Sequence, residues 1–360
     1  MKKIIIIDDS ALMRTVLSDI INSDSRFQVV DKAKDGVEGL ELLKKNSYDA
    51  VVLDINMPRM DGITMLRELQ KLNIKARIMM ASTDTKEGAK VTLDCLDLGA
   101  LDFVHKPDRA SECRGEDFTK HFIDTLAAVA DSKLPTVTRA LTRDEIKKSV
   151  QESQKVVDLV SKSASKITGN RIVAIASSTG GPRALQSVIP KLPKNLKAPV
   201  VLVQHMPEGF TASLAERLDS LSDIGVKEAA EGDVLQPGMV YISRGGKHMH
   251  VVKNGSRSVI HYMDGPTREG VRPCANFMYE SLMDSDYDEI CCAVLTGMGA
   301  DGTEGIKNLK TKKKVYVIGQ EESTCTVYGM PKAVAVAGLV DQVVKLDNVA
   351  QEIIMRVGVN

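Results

Sequence analysis

The sequence predicts an α/β protein made of two doubly wound parallel-sheet domains, and three observations carry that prediction. The chain has 360 residues, more than one ordinary core accommodates. Short apolar runs alternate with amphipathic stretches in two series, separated by a polar segment near the middle. Each apolar run is followed by a loop and helix-like sequence, the pattern of strand–helix–strand units with right-handed crossovers.

In the first series the expected strands are 3–7, 28–33, 50–53, 77–80 and 102–104, with helices such as 35–45 and 63–72 between them. The segment 131–168 has no strand-like run, carries Pro135, and reads as a polar helix through Ile146, Val150, Val157 and Val160. It is expected to be an interdomain linker, helical in its second half. The second series supplies strands 171–176, 199–204, 290–295 and 315–319. Between them, glycine and alternating apolar residues over 226–262, as at 239–242 and 249–252, predict β-hairpins inserted into the α/β core.

Composition narrows the function. The chain is 43% hydrophobic and 27% charged, and 48 basic residues balance 48 acidic ones. That neutrality removes the electrostatic footprint of a nucleic-acid binder. Six scattered cysteines form no C-x-x-C pair, so reduced thiols are expected rather than a disulfide framework or zinc cage. The N-terminal apolar run 4–7 is too short for an export signal, and no stretch approaches the roughly 20 apolar residues of a membrane span. A cytoplasmic protein without membrane insertion is the expectation.

Three carboxylates in the first half fall at expected strand ends: Asp8 and Asp9 after 4–7, and Asp54 after 50–53. Neighbouring strands of a doubly wound sheet bring such ends together. Carboxylates crowded there repel each other unless a hard divalent cation sits among them, and magnesium suits the site because it keeps waters for a phosphoryl group. Lys106, after the fifth strand, could neutralise a phosphate on Asp54. Taken singly, each aspartate is as readily a turn or cap residue.

In the second half, strand 171–176 runs into Ser177-Ser178-Thr179-Gly180-Gly181-Pro182. Small residues allow a sharp turn, and Pro182 suits the first turn of a helix. Ser178 would then lie at a helix N-terminus, where backbone N–H groups can stabilise an oxyanion. The spacing A-x-S-x-G is similar to a nucleophile elbow lacking its first glycine; a phosphate-binding or structural turn fits these residues equally. Among six histidines, His205 directly follows an apolar strand at the same sheet edge and is the best-placed base. His248 and His250 alternate on an expected hairpin, more in keeping with a solvated strand face than with a metal site. Asp301, in L-T-G-M-G-A-D-G after strand 290–295, can orient the base. The order Ser178, His205, Asp301 differs from that of α/β-hydrolases.

Combined, D-D-S at 8–10, D-x-x-M-P-x-M-D-G at 54–62 and K-P at 106–107 resemble the response-regulator receiver family. The second half adds S-T-G-G-P at 178–182, Q-H-M-P-E-G-F-T at 204–211, L-A-E-R-L at 214–218 and P-G-x-x-Y-I at 237–242. G-G-K-H-M at 245–249, L-T-G-M-G-A-D-G at 295–302 and C-x-V-Y-G-M-P-K at 325–332 complete the set. Together these resemble the chemotaxis response-regulator protein-glutamate methylesterases nearly end to end. The resemblance implies a flavodoxin-like receiver over 1–125, a linker over 126–168 and a Rossmann-like catalytic domain over 169–357.

The resemblance further implies that Asp54 is the phosphoacceptor, that Asp8 and Asp9 hold Mg²⁺ with it, and that Lys106 contacts the acyl phosphate. Ser82, rather than Ala81, is expected to supply the hydroxyl that meets the phosphoryl group. Ser178 is implied as nucleophile, His205 as general base and Asp301 as its orienting partner, with Thr179 assisting and the Met298 N–H as oxyanion donor. No cofactor is implied for the esterase. Implied partners are methyl-accepting chemotaxis receptors as substrate and a histidine kinase as phosphodonor, with the chain a monomer. Glutamate methyl esters would be hydrolysed and selected glutamines deamidated, under a receiver that covers the cleft until phosphorylated. One departure stands out: where the family typically reads R-P-S-V-D, residues 272–276 read R-P-C-A-N. It is the sole support for a rival reading, a catalytically weak phosphorylation-dependent receptor adaptor. A DNA-binding response regulator is disfavoured, because the second half has neither a helix-turn-helix pattern nor a basic patch.

Overall fold

A computed structural model describes residues 1–82, 86–107, 112–132 and 169–360. The chain divides into two compact units, Met1–Ala140 and Leu141–Asn360. Most of the expected linker, 133–168, lies outside the described residues, as does its expected helix.

The first unit holds five strands, β1 (Lys2–Ile7), β2 (Phe27–Ala33), β3 (Ala50–Asp54), β4 (Ile78–Ser82) and β5 (Asp102–His105), in the spatial order β2-β1-β3-β4-β5. All four pairings are parallel. The central strands are apolar at successive positions because helices cover both faces, so Ile4–Ile7 and Ala50–Leu53 are all buried. The helices are α1 (Ala11–Ser23), α2 (Gly36–Lys45), α3 (Gly62–Lys71), α4 (Lys86–Asp97) and α5 (Glu116–Asp131). Three have side-chain caps: Ser10 accepts from Met13 N–H, Asp35 from Val37 and Glu38 N–H, and Asp61 from Thr64 N–H. Helix α5 crosses residue 125 and packs Phe122, Leu126 and Val129 into the core with Ile4, Ile6 and Val52.

The second unit is a seven-stranded sheet in the order β14-β13-β12-β6-β7-β9-β8. Its strands are β6 (Arg171–Ser177), β7 (Val200–Gln204), β8 (Gly225–Glu228), β9 (Met239–Ile242), β12 (Glu289–Val294), β13 (Lys314–Gln320) and β14 (Gln342–Val344). Helices α6 (Gly181–Val188), α7 (Phe210–Leu221), α8 (Ala275–Ser281), α9 (Thr303–Lys310), α10 (Met330–Val336) and α11 (Val349–Val357) pack around it. One expectation is corrected here. The run 239–242 is not part of a hairpin; it is β9, parallel to both β7 and β8. Its last three residues are buried, the mark of a strand covered on both faces, which the apolar–glycine alternation concealed. Among the described residues, only β10 (His248–Asn254) and β11 (Arg257–Met263) pair as an antiparallel hairpin. No helix among the described residues is long and apolar enough to cross a membrane. All six cysteines are free and buried.

Candidate active site

The second sheet places its chemistry by register. Strands β12, β6 and β7 are neighbours, and Ser177 at the end of β6 is the register partner of Gln204 at the end of β7. Ser178 and His205 each stand one residue beyond that pair, so adjacent parallel strands, roughly 4.8 Å apart, deliver them side by side. His205 N–H donates to the Ser177 carbonyl at 3.1 Å, extending the ladder by one bond. On the other flank, β12 leads through Leu295–Gly302 into α9 and carries Asp301 to the same edge. His205 Nε2 donates to Asp301 Oδ2 at 2.7 Å, the histidine half-buried and the aspartate buried. That bond leaves Nδ1 as the ring nitrogen able to take a proton from a serine.

The turn forms as the small residues predict. Gly180 takes φ 74°, in the left-handed region that favours glycine, and Pro182 opens α6. Ser178 is half-buried; its N–H donates to the Thr296 carbonyl at 3.0 Å, and its carbonyl accepts from Gly181 N–H at 2.6 Å. Gly297 approaches so closely that a Cβ there would stand 2.7 Å from Ser178 Cβ. Thr179 is buried, and its carbonyl accepts from Thr296 Oγ1 at 2.9 Å. Met298 is exposed on the same loop, and no acceptor for its N–H is found among the described residues.

Asp301 is buried and holds four donors. Its Oδ2 accepts from His205 and from Ala275 N–H at 2.6 Å; its Oδ1 accepts from Asn276 N–H at 2.9 Å and the Cys274 thiol at 3.0 Å. Burial alone would raise this carboxyl, but the hydrogen bond and charge of His205, with the thiol and backbone donors, outweigh it and hold the group below the usual carboxylate range. Burial and the Asp301 charge push the Cys274 thiol far above its ordinary value, so it stays protonated as a donor. The departing segment 274–276 is therefore the cradle of Asp301.

Sequence reasoning missed the residue that ties the ends of β6 and β7 together. Gln204, buried, accepts from Ser177 Oγ at 2.7 Å and donates from Nε2 to the carbonyls of both Ser178 and His205 at 3.0 Å. A glutamine ending an apolar strand beside a candidate base was the available signal. His248 is also corrected: it is buried rather than on a solvated face, with Nε2 against the Pro266 carbonyl at 3.0 Å and its ring edge on Phe277.

In the first unit, Asp8, Asp9 and Asp54 present oxygens that lie within 4.8 Å of one another, the one such group of possible metal ligands found among the described residues. Lys106 Nζ donates to Asp54 Oδ1 at 2.7 Å and Asp8 Oδ2 at 2.9 Å, all three residues being buried. Burial raises the Asp54 carboxyl despite the Lys106 charge, whereas the two carboxylates raise Lys106 against its own burial. Gly62 sits where a Cβ would overlap the Asp54 carbonyl, which accounts for the glycine closing the D-x-x-M-P-x-M-D-G run. The register partner of Asp54 is Ala81. Ser82 ends β4 buried, its hydroxyl hydrogen-bonded with Thr92 Oγ1 on α4 at 3.0 Å and its carbonyl accepting from Lys106 N–H at 2.6 Å.

An acid-lined parallel sheet at the head of the chain and a serine–histidine–aspartate edge in a second α/β unit define a receiver joined to a hydrolase-type domain. Comparison with known proteins agrees. The family described as CheB methylesterase matches residues 173–353, and the response regulator receiver domain matches 4–114. A Bacillus subtilis protein named protein-glutamate methylesterase/protein-glutamine glutaminase is 39% identical over 98% of this chain and 98% of its own length. A protein of the same name from Pyrococcus abyssi is 40% identical over 99% of this chain and 93% of its own. The crystal structure of the Thermotoga maritima CheB methylesterase catalytic domain, 41% identical, superposes with a TM-score of 0.50 over 52% of this chain and 98% of that one. This chain belongs to the CheB methylesterase family, with an N-terminal receiver domain.

Proposed function

We propose that this chain hydrolyses glutamate methyl esters on chemotaxis receptors, and deamidates receptor glutamines, under control of receiver phosphorylation. The observation that carries the reading is the delivery of Ser178 and His205 by one register pair, with His205 bonded to Asp301 at 2.7 Å. Ser178 Oγ attacks the side-chain carbonyl while His205 Nδ1 takes the hydroxyl proton. The oxyanion is met by the Met298 N–H, which points to no other acceptor among the described residues. Thr179, next along the chain, supports the base. The proton then passes from His205 to the leaving methanol, or to ammonia from a glutamine. Water attacks the acyl-serine by the same route in reverse, releasing glutamate.

In the receiver, a histidine kinase supplies the phosphoryl group to Asp54. The donor set of Asp8, Asp9 and Asp54, all hard oxygens, suits Mg²⁺, which when bound balances the carboxylates and the phosphoryl charge. Lys106 is placed to hold the acyl phosphate, and Ser82 supplies the hydroxyl by turning from Thr92 toward Asp54. The unphosphorylated receiver restrains the esterase, and the chain works in the cytoplasm as a monomer. The adaptor reading loses its support, since Cys274 and Asn276 bond to Asp301 rather than leaving it bare. Methanol release from methylated receptor membranes tests the proposal. Ser178→Ala should abolish it while the receiver still takes up phosphate at Asp54; release that persists in this variant would reject the catalytic assignment.

A further inference from the structure

Residues 274–276 supply three of the four donors to Asp301, and they are where this chain departs from the R-P-S-V-D pattern. We propose that Cys274 and Asn276 are positioning residues for Asp301, and that Asn276 works as the matched partner of Glu269. The inference rests on reading Ser178, His205 and Asp301 as the catalytic set.

The geometry of Asn276 carries the argument. Its N–H donates to Asp301 Oδ1, and its own Oδ1 accepts from Gly302 N–H at 3.0 Å and Gly305 N–H at 2.6 Å. One residue thus bonds the carboxylate itself, the peptide after it and the first turn of α9. Two N–H donors on Oδ1 fix the amide orientation, so Nδ2 must face the other way, where it donates to Glu269 Oε1 at 2.7 Å. An aspartate at 276 could accept from both glycines, but its second oxygen would stand against the Glu269 carboxylate. Glu269 already has its carboxyl raised, by partial desolvation first and then by the Asp301 charge, with Asn276, Arg268 and His205 opposing. It also takes φ 55°, which non-glycine residues seldom adopt, so this contact holds an otherwise unfavourable backbone in place.

Cys274 acts on the same oxygen of Asp301. Its thiol is a weaker donor than a hydroxyl and cannot ionise in this setting, so it steadies the carboxylate while drawing less of its charge from His205. The charged and titratable groups that bear on Asp301 from its surroundings are His205, Cys274, Glu269, Arg268, His248 and Tyr279. Of these, Cys274 and His205 bond it directly.

The test compares Cys274→Ser, Cys274→Ala, Asn276→Asp, Glu269→Gln and the Asn276→Asp/Glu269→Gln double variant in the full chain with phosphodonor and Mg²⁺. The readouts are kcat, KM, the pH profile of methanol release and thermal unfolding. Cys274→Ser should stay within about twofold of wild type with the acid limb of kcat/KM moved down. Cys274→Ala should lower kcat about tenfold at unchanged KM with that limb moved up, the loss expected of one hydrogen bond of ~1.4 kcal/mol. Asn276→Asp should lower kcat about tenfold, more at higher pH where both carboxylates ionise, and adding Glu269→Gln should restore it to within about threefold. Identical acid limbs for Cys, Ser and Ala at 274, or an Asn276→Asp loss that Glu269→Gln leaves unrelieved, would overturn the inference. If Cys274→Ala fails to fold, the Ser limb shift and the double-variant rescue decide the matter. Ser178→Ala run alongside separates the two levels, since activity surviving there rejects the catalytic assignment itself.

Discussion

Replacing Asp301 by asparagine should cost both turnover and stability, and the hydrogen bonds around the carboxylate set the size of each loss. Each oxygen serves two donors: Oδ2 takes His205 and Ala275 N–H, Oδ1 takes Cys274 and Asn276 N–H. An amide has one acceptor oxygen, so either orientation turns its NH₂ against a buried backbone N–H. Leaving that donor unsatisfied costs roughly 1–3 kcal/mol of stability. If the NH₂ faces His205, Nε2 must become the acceptor and the proton moves to Nδ1, which removes the base. If the oxygen faces His205, the ring keeps its tautomer but loses the charge that stabilises its protonated form. A fall in kcat on the order of 10⁴ is expected, the scale of that change in serine-protease triads. The stability deficit has a pH signature. The wild-type carboxyl lies below its unfolded value, so its contribution is present above about pH 4 and fades as acid titrates the folded group. The variant should therefore lie furthest below wild type near neutrality. Urea unfolding across that range, with methanol-release kinetics, checks both parts. A folded Asp301→Asn protein within tenfold of wild-type kcat, or with equal stability at pH 7, would contradict this.

Two further outcomes are expected. Asp54→Asn should stabilise the chain near neutral pH and do so less near pH 4, because burial raises the Asp54 carboxyl and its ionised form then costs stability as pH climbs above the unfolded value of about 3.9; Mg²⁺ should raise the unfolding temperature of wild type and not of this variant. Gly297→Ala should leave receiver phosphorylation intact while lowering kcat at least tenfold, since the added methyl would stand 2.7 Å from Ser178 Cβ and displace that serine; unchanged methanol release would count against the placement of that loop.

How much of this was legible beforehand differs between the halves of the problem. Strand positions and the sharp turn after β6 were readable because buried parallel strands are continuously apolar and because Gly180, Gly181 and Pro182 favour a turn into a helix. The acidic cluster followed from three carboxylates at strand ends. Strand β9 was misread because four apolar residues between glycine-rich turns look alike in a hairpin and inside a parallel sheet. His248 was misread for a related reason: strand alternation says which residues share a face, and not that α8 packs Phe277 over it. The roles of Gln204, Cys274 and Asn276 were hidden because each depends on atoms far along the chain, such as the 25-residue separation of Asn276 and Asp301. The departure at 274–276 is visible in the sequence, and only the hydrogen bonds explain what those residues hold.

In the proposed function, one chain couples phosphorylation of Asp54 to hydrolysis at Ser178. The measurement that bears on it most directly is the initial rate of methanol release by the full chain, before and after a small phosphodonor is added with Mg²⁺. Wild type should accelerate, Asp54→Asn should hold its basal rate throughout, and Ser178→Ala should release nothing in either state. A wild-type rate indifferent to the phosphodonor, with Asp54 shown to be phosphorylated, would contradict the coupling.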